Sequence, residues 1–263
     1  MPDLTLPSHR LHYLIDGDDD TKPWLIFCNS LGTDLHMWDA QVAALSDDFR
    51  ILRYDRRGHG GSSAPVPPYA LSDLGQDVIA LMDSLGIARA HFCGLSLGGL
   101  TGQWLAINHP DRLIRVIVCA TAARIGTVES WTTRAAEVEA DGLSALLPAT
   151  EDRWFTPAFR SAHPDTVAAI LDSFAATSVA GYVGACGALA HADLRADLGR
   201  ITTPLLAISG DDDPVCPPAD LQAIADGVRD GRHVSLPGRH LVNVESPDPF
   251  NDAVRSFLTE GRA

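Results

Sequence analysis

Short apolar runs alternate along the chain with longer segments in which apolar residues recur every three or four positions. Such runs are typical of strands buried on both faces of a sheet, and such segments are typical of amphipathic helices. Strands are predicted over 10–16, 24–28, 50–54, 90–93, 113–119, 204–209 and 233–236, and helices over 39–45, 72–85, 97–108, 218–225 and 248–258. Because short loops join them in alternation, we expect an α/β fold with a mostly parallel, eight-stranded-type sheet and helices on both faces.

The pattern changes in the middle of the chain. Between residues 124 and 195 no strand-like run occurs, and helices are predicted over 130–140, 165–177 and 179–190. A segment of this length is too long for a plain connection between two elements of one domain. We therefore predict an α/β core made of residues 1–123 and 196–263, with residues 124–195 inserted into it as a helical cap.

Composition and charge exclude several classes of function. The chain has 263 residues and a formal net charge of −14, which argues against binding to nucleic acid. The same charge repels a small anion at long range, so an anionic substrate would need a local arginine. No apolar run reaches the length of a membrane helix, and no basic-then-apolar signal opens the chain, so we expect a cytoplasmic protein without a membrane partner. The oligomeric state is not predicted.

The cysteines carry no metal-binding or redox pattern. The chain has five of them, an odd number, and none belongs to a C-x-x-C pair. Cys28, Cys93 and Cys119 end apolar, strand-like runs. We expect reduced, buried thiols with a structural role.

The strongest candidate for chemistry is Gly94-Leu95-Ser96-Leu97-Gly98, which lies between a predicted strand and a predicted helix. The pattern G-x-S-x-G in that setting is typical of a nucleophile elbow, a tight turn that exposes a serine. Residues two before and two after the serine must be small because strand and helix pass close together. Since an ordinary glycine-rich turn can look the same, the assignment depends on an acid and a histidine later in the chain.

A histidine in the required place follows the last predicted strand. A serine hydroxyl is a weak nucleophile that needs a base to take its proton and an acid to orient that base. His240 comes after a strand and a Pro-Gly turn, at the sheet edge where Ser96 also lies, because both follow parallel strands. We therefore predict that His240 is the base, with His59 as the second candidate.

The acid is one of three neighbouring aspartates in Gly210-Asp211-Asp212-Asp213-Pro214. Asp213 is favoured and Asp212 is second, and the order serine, aspartate, histidine is that of α/β-hydrolases. The other position for such an acid, after the strand that ends at Cys119, holds Ala120-Thr121-Ala122 and no carboxylate.

Several stretches together resemble the α/β-hydrolase superfamily, and more closely the 3-oxoadipate enol-lactonases. The resemblance spans nearly the whole chain and is weakest in the cap. It implies an esterase that opens an enol lactone with water to give 3-oxoadipate, in the β-ketoadipate pathway of aromatic catabolism, with no cofactor and no metal. The stretches are Asn29–Asp34 with Met37-Trp38, Asp55–Gly60, Gly94–Gly99 and Gly210–Pro214.

The resemblance also implies where an oxyanion would bind. Many relatives read His-Gly-x where this chain has Asn29-Ser30-Leu31, which places the two N–H groups of the oxyanion hole on Leu31 and Leu97. Cofactor-free perhydrolases of similar fold usually carry a proline at the next position, and Gly32 argues against that activity. Another esterase, lactonase or C–C hydrolase stays an alternative, because fold does not determine substrate.

The implied enol lactone carries a carboxylate, so its pocket should offer a cation. Arg134 is favoured because it lies one helical turn from Trp131. Trp131 and Trp154 are expected to wall an apolar pocket, unless they are ordinary core aromatics, and Ser30 could add a hydroxyl. Each arginine could instead form a surface ion pair. The candidates in the cap are Arg124, Arg134, Arg153 and Arg160.

Overall fold

A computed structural model describes residues 2–17 and 19–261. An eight-stranded sheet lies at the centre of this part of the chain, with the order β1-β2-β4-β3-β5-β6-β7-β8. The first two pairings are antiparallel and all the others are parallel, which confirms the predicted sheet. Its strands are β1 (Asp3–Thr5), β2 (Arg10–Asp16), β3 (Trp24–Cys28), β4 (Arg50–Tyr54), β5 (Ala90–Leu95), β6 (Leu113–Cys119), β7 (Leu205–Gly210) and β8 (Gly231–Leu236).

The burial of the strands explains their sequences. Every residue of β5 and of β7 is buried, because both strands have neighbours on either side and helices over both faces of the sheet. Continuous apolar runs are what such positions require. Strand β1 was missing from the prediction because it has three residues, none of them buried, and so leaves no pattern to detect.

Helices cover both faces of the sheet. They are α1 (Asp39–Leu45), α2 (Leu71–Ser84), α3 (Leu97–Asn108), α4 (Val128–Asp141), α5 (Leu147–Trp154), α6 (Pro157–Ala162), α7 (Pro164–Ala176), α8 (Val179–His191), α9 (Pro218–Gly227), α10 (Val242–Glu245) and α11 (Pro247–Thr259). Helix α2 was predicted to begin at residue 72. The helix begins one residue earlier, and the Asp73 carboxylate accepts from the backbone N–H of Ala70 at 2.8 Å.

Only helices are found between β6 and β7 in the described chain, and the division into core and cap stays a prediction. Helices α5 and α6 were not predicted, because eight and six residues are too few to show a clear period. Hydrogen bonds join this segment to the rest of the fold. Ser173 donates to Asp34 at 2.6 Å, and Thr156 donates to Glu245 at 2.6 Å.

Two of these helices, α7 and α8, are the most apolar of the segment. No single helix in residues 2–17 and 19–261 is long and apolar enough to cross a membrane. Helices α7 and α8 reach the length and composition of a membrane span only when they are taken together, and they are bent by 91° at the break between them. Phe174 on α7 and Tyr182 on α8 are almost fully buried. Their rings meet edge to face, with centroids 5.7 Å apart.

All five cysteines are buried and free, as the absence of paired motifs indicated. Cys93 and Cys119 lie on adjacent strands with their sulfur atoms 3.9 Å apart. Burial raises the pKa of the Cys93 thiol well above its ordinary value, with the neighbouring Cys119 as the second cause. These thiols pack as small apolar groups between sheet and helices.

Candidate active site

Ser96 occupies the turn between β5 and α3, with φ 58° and ψ −115°. Few residues other than glycine adopt a positive φ, and those that do are concentrated at functional sites. The glycines on either side make the turn possible. A Cβ on Gly94 would collide with the carbonyl group of Gly98, and a Cβ on Gly98 would collide with the carbonyl of Cys28. The steric requirement expected of a nucleophile elbow is therefore present here.

His240 and Asp213 form a buried pair at the same edge of the sheet. His240 Nδ1 lies 2.9 Å from Asp213 Oδ2, and both side chains are almost completely buried. The other carboxylate oxygen of Asp213 accepts from the backbone N–H groups of Val215 and Cys216 at 2.8 and 3.2 Å. Because the carboxylate is held in this way, it favours the tautomer with the proton on Nδ1, which leaves His240 Nε2 free to accept a proton.

Ser96 and His240 line the same cavity, so the structure brings the predicted nucleophile and base together. The second candidate acid, Asp212, lies elsewhere: it is exposed and pairs with Arg239 at 2.8 Å. Between the two aspartates that the sequence left open, only Asp213 therefore contacts His240.

The second candidate base, His59, does not line this cavity. Its ring is buried, and Nδ1 lies 3.2 Å from the backbone carbonyl of Arg57. Burial, together with the nearby Arg56 guanidinium, lowers the pKa of His59 to about 3. A neutral ring in this position is part of the loop packing.

The two predicted oxyanion donors are Leu97, which follows Ser96 in the chain, and Leu31, which lines the same cavity as Ser96. Leu97 is the first residue of α3, so its N–H has no acceptor within the helix and lies at the positive end of the helix dipole. Leu31 lines the cavity together with Ser30. The side chain of Leu97 is fully buried in the core, and only its backbone is needed for this role.

Asn29 anchors the loop that carries Leu31. Its side chain accepts from the Trp38 indole N–H at 2.9 Å and donates to the Tyr54 carbonyl at 3.0 Å. Its own carbonyl accepts from the buried guanidinium of Arg56. Sequence reasoning missed this anchor because the partners come from two other segments, Trp38 from one and Tyr54 with Arg56 from the other. The asparagine that stands where many relatives carry histidine thus fixes the position of the loop that carries Leu31.

Gly32 continues this loop with φ 78°. Proline is restricted to a φ near −65° and cannot adopt this conformation. A Cβ at Gly32 would also collide with the Phe174 ring. The structure thus gives a physical reason why the proline of the perhydrolase pattern does not fit here.

The cavity above Ser96 has a volume of about 250 Å³. All four residues predicted to bind substrate line it, and so does Arg153, another of the candidate arginines. Three further polar lining residues were not predicted: Ser130, Thr150 and Tyr182. No sequence signal pointed to Thr150 or Tyr182, which lie on helices of the least recognisable segment. The lining residues are Ser30, Leu31, Ser96, Ile125, Gly126, Ser130, Trp131, Arg134, Thr150, Arg153, Trp154, Phe174, Tyr182, Leu189, Val215 and His240.

Two arginines in the cavity are free of carboxylate partners. Within the described residues, neither Arg134 nor Arg153 forms an ion pair: Arg134 donates to the Tyr182 hydroxyl at 3.4 Å, and Arg153 donates to the Ala149 carbonyl at 2.9 Å. Burial, followed by the proximity of Arg134, lowers the pKa of Arg153. Two guanidinium groups in one small cavity, in a chain of net charge −14, form a local site for an anion.

The other two candidate arginines form ion pairs, which was the alternative role considered for each arginine. Arg124 lies 3.6 Å from the Asp193 carboxylate, and Arg160 lies 3.2 Å from that of Asp152. Neither lines the cavity. The sequence could not separate the two pairs of arginines, because the difference depends on which acidic side chains lie near them in the fold.

The tryptophans serve both as core aromatics and as cavity walls. The Trp131 indole donates to the Ile125 carbonyl at 2.6 Å, and the Arg134 guanidinium lies 5.8 Å from its ring centroid. Trp154 meets Phe174 edge to face at 5.4 Å. The walls of the cavity are therefore fixed by packing as well as by hydrogen bonds.

Known proteins share this fold over nearly the full chain. A family model described as alpha/beta hydrolase fold matches residues 23–247. The chain is 46% identical to 3-oxoadipate enol-lactonase 2 of Acinetobacter baylyi, with 97% of this chain and 95% of that protein covered. It is 39% identical to 3-oxoadipate enol-lactonase 1 of the same organism, with coverages of 93% and 91%. The crystal structure of the enol-lactonase from Burkholderia xenovorans LB400 superposes with a TM-score of 0.97 at 47% identity and covers 98% of this chain and 100% of that one.

Proposed function

We propose, since this chain belongs to the α/β-hydrolase family, that it is a serine hydrolase that opens 3-oxoadipate enol-lactone with water to give 3-oxoadipate. The relatives that it matches over nearly its full length are named for this reaction. The observation that carries the proposal is the composition of the cavity. It holds Ser96 and the His240 of a buried histidine–aspartate pair, together with two arginines that have no carboxylate partner among the described residues.

Acylation follows from the positions of these groups. His240 Nε2 takes the proton of the Ser96 hydroxyl as the oxygen attacks the lactone carbonyl, and Asp213 stabilises the imidazolium that forms. The negative charge on the carbonyl oxygen is stabilised by the backbone N–H groups of Leu31 and Leu97. When the tetrahedral intermediate collapses, the bond between the carbonyl carbon and the ring oxygen breaks and Ser96 carries the acyl group.

The nature of the leaving group lowers the barrier to ring opening. The ring oxygen departs as an enolate, which is a better leaving group than an alkoxide and needs less help from a general acid. The His240 imidazolium gives the proton that it took from Ser96 to the departing enolate, and transfer of this proton to carbon gives the ketone and leaves His240 neutral again. A water molecule that gives its proton to His240 then attacks the acyl group, releases 3-oxoadipate and restores Ser96.

The arginines account for the acidic part of the molecule. Besides the reacting ester, the enol lactone carries a carboxylate on a short side chain, and Arg134 and Arg153 can bind it by charge-assisted hydrogen bonds. The Tyr182 hydroxyl already contacts Arg134 and is buried, so it holds that guanidinium in place. Trp131, Trp154 and Phe174 contact the apolar part of the ring, and Ser30 adds a polar group beside the reaction centre.

The test is a spectrophotometric assay on freshly generated enol lactone, run in parallel with a simple neutral aryl ester. We expect turnover of the lactone with a higher kcat/KM than for the ester, and loss of both activities in Ser96→Ala, which serves as the control for background hydrolysis. Turnover of the ester alone would refute the lactone as substrate and favour another esterase of this fold. An active Ser96→Ala variant would refute the serine mechanism itself.

A further inference from the structure

Thr121 is the second residue after β6, in the stretch where other α/β-hydrolases can carry their acid and where this chain has none. It is fully buried, and its hydroxyl donates to the backbone carbonyl of Ser96 at 2.8 Å. The residue before it, Ala120, adopts φ 43°, which is unusual for a residue other than glycine. A strained turn thus follows β6, and it brings the Thr121 hydroxyl to the backbone carbonyl of Ser96.

Residues at the end of β6 form hydrogen bonds with both the backbone N–H and the backbone carbonyl of Ser96. Its N–H donates to the Cys119 carbonyl at 2.8 Å, and its carbonyl accepts from Thr121. The carbonyl also accepts from Leu100 N–H at 3.0 Å, in the first turn of α3. Since φ and ψ of Ser96 lie far from helical values, hydrogen bonds on both sides of its Cα oppose relaxation of the turn.

The packing around Thr121 leaves little room for movement. A Cβ on Gly99 would lie 2.7 to 3.0 Å from the side-chain atoms of Thr121, so this side chain lies flush against the first turn of α3. Thr121 does not line the cavity that holds the substrate. Its influence on the reaction can therefore reach the substrate only through the backbone of Ser96.

We propose that Thr121 is a positioning residue, whose hydroxyl holds Ser96 in the strained backbone conformation that aims its Oγ at the substrate. The proposal rests on the proposed role of Ser96 as nucleophile. Loss of the hydroxyl lets the turn relax and displaces Oγ, and a small displacement of a reacting atom reduces the rate of the chemical step. The groups that bind the substrate stay in place, so kcat changes and KM does not.

Three variants separate the hydroxyl from the volume of the side chain. Thr121→Val keeps the shape and removes the hydroxyl, Thr121→Ser keeps the hydroxyl, and Thr121→Ala removes both. Thr101 provides the matched control. It is also fully buried, and its hydroxyl donates to the Leu97 carbonyl at 2.9 Å, within a regular helix. Thr101→Val thus removes an equivalent hydrogen bond without touching Ser96.

The measurements are kcat and KM on a neutral aryl ester, the rate at which a fluorophosphonate labels Ser96, and the Tm of each variant. We expect Thr121→Val and Thr121→Ala to lower kcat and the labelling rate about tenfold, with KM within about twofold of the wild type. Thr121→Ser should retain both rates within about twofold. Thr101→Val should lower Tm and leave kcat unchanged.

Wild-type kcat and labelling in Thr121→Ala, or an equal loss in Thr121→Ser, would overturn the proposal, and so would an equal loss of kcat in Thr101→Val. If Thr121→Val does not fold, the comparison of serine with alanine decides in the same way. Failure of the fluorophosphonate to label Ser96 in the wild type would instead overturn the proposed serine mechanism. Because the ester and the probe are neutral, none of these outcomes depends on the lactone being the substrate.

Discussion

Asp213 differs from its two acidic neighbours in the direction of its carboxylate. Asp211 accepts from the Gly238 backbone N–H at 3.1 Å, Asp212 pairs with Arg239 in solvent, and Asp213 alone of the three turns inward to His240. Three consecutive aspartates therefore hold three different parts of one edge of the sheet. The residue before a proline is restricted in its backbone, which helps to fix the direction of Asp213.

Substitution of Asp213 tests this difference. Asp213→Asn should lower kcat by about 10³- to 10⁴-fold, because an amide in this position no longer favours the tautomer that leaves Nε2 free as a base. Asp212→Asn is the matched control, since it changes the adjacent residue in the same way. We expect it to keep kcat within about twofold in a steady-state assay. Equal losses in the two variants would refute the assignment of Asp213.

The arginines of the cavity differ from those outside it by their partners. Arg134→Ala or Arg153→Ala should raise KM for the anionic lactone about tenfold, because each removes a charge-assisted hydrogen bond to the carboxylate. KM for a neutral aryl ester should stay nearly the same. Arg124→Ala is the control, since Arg124 already pairs with Asp193. Equal effects on lactone and ester would contradict a role in binding the carboxylate.

At the scale of secondary-structure elements, the elbow depends on how closely β5, α3 and the loop after β3 approach each other. Gly98 is the point of closest approach, because a Cβ there would enter the carbonyl groups of Cys28 and Asn29. The same loop carries Leu31. Steric strain at Gly98 would therefore disturb the proposed nucleophile, Ser96, and the proposed oxyanion donor, Leu31, together.

Gly98→Ala should lower the free energy of unfolding by about 1–3 kcal/mol through overpacking and should also abolish most of the activity. Chemical denaturation and the ester assay measure the two effects. Gly199→Ala is the matched control, because nothing lies within 4 Å of a Cβ at that position. A Gly98→Ala variant with wild-type stability and activity would refute the close packing of the elbow.

At the scale of the whole molecule, His59 links the stability of the fold to pH. Its folded pKa of about 3 lies below the ordinary value of 6.5 because the neutral ring is buried and Arg56 lies nearby. Between these two values the unfolded chain binds a proton that the folded chain does not. The contribution of His59 to stability is therefore full above pH 6.5 and decreases as the pH falls toward 3.

His59→Gln should make the fold less sensitive to acid. The slope of the unfolding free energy against pH should decrease by up to about 1.4 kcal/mol per pH unit between pH 6 and 4 relative to the wild type. Urea denaturation at several pH values measures this slope. The exposed His36 pairs only with Asp39 at the surface, so His36→Gln is the control. An unchanged slope in His59→Gln would contradict the buried neutral histidine.

The pattern of residues determined much of this architecture by itself. The bounds of α1, α3 and β6 match those predicted from periodicity, because long apolar runs and clear helix ends depend on local sequence. The Gly-x-Ser-x-Gly turn and the later acid and histidine were recognised for a related reason. Parallel strands place the residues at their carboxyl ends along one edge of the sheet, whatever the details of packing.

Tertiary structure decided the points at which distant segments meet. Three features depend on neighbours outside the local segment: the pairing of His240 with Asp213, the anchoring of Asn29 by residues from two other segments, and the difference between the paired and the unpaired arginines of the described chain. The contact between Thr121 and Ser96 also depends on such neighbours. It lies at the position after β6 where the sequence has no carboxylate. Hydrophobic periodicity and secondary-structure propensity indicate how a residue fits into its own helix or strand. Charge pairing and positioning depend on which other element lies against it, and that is set only when the chain is folded.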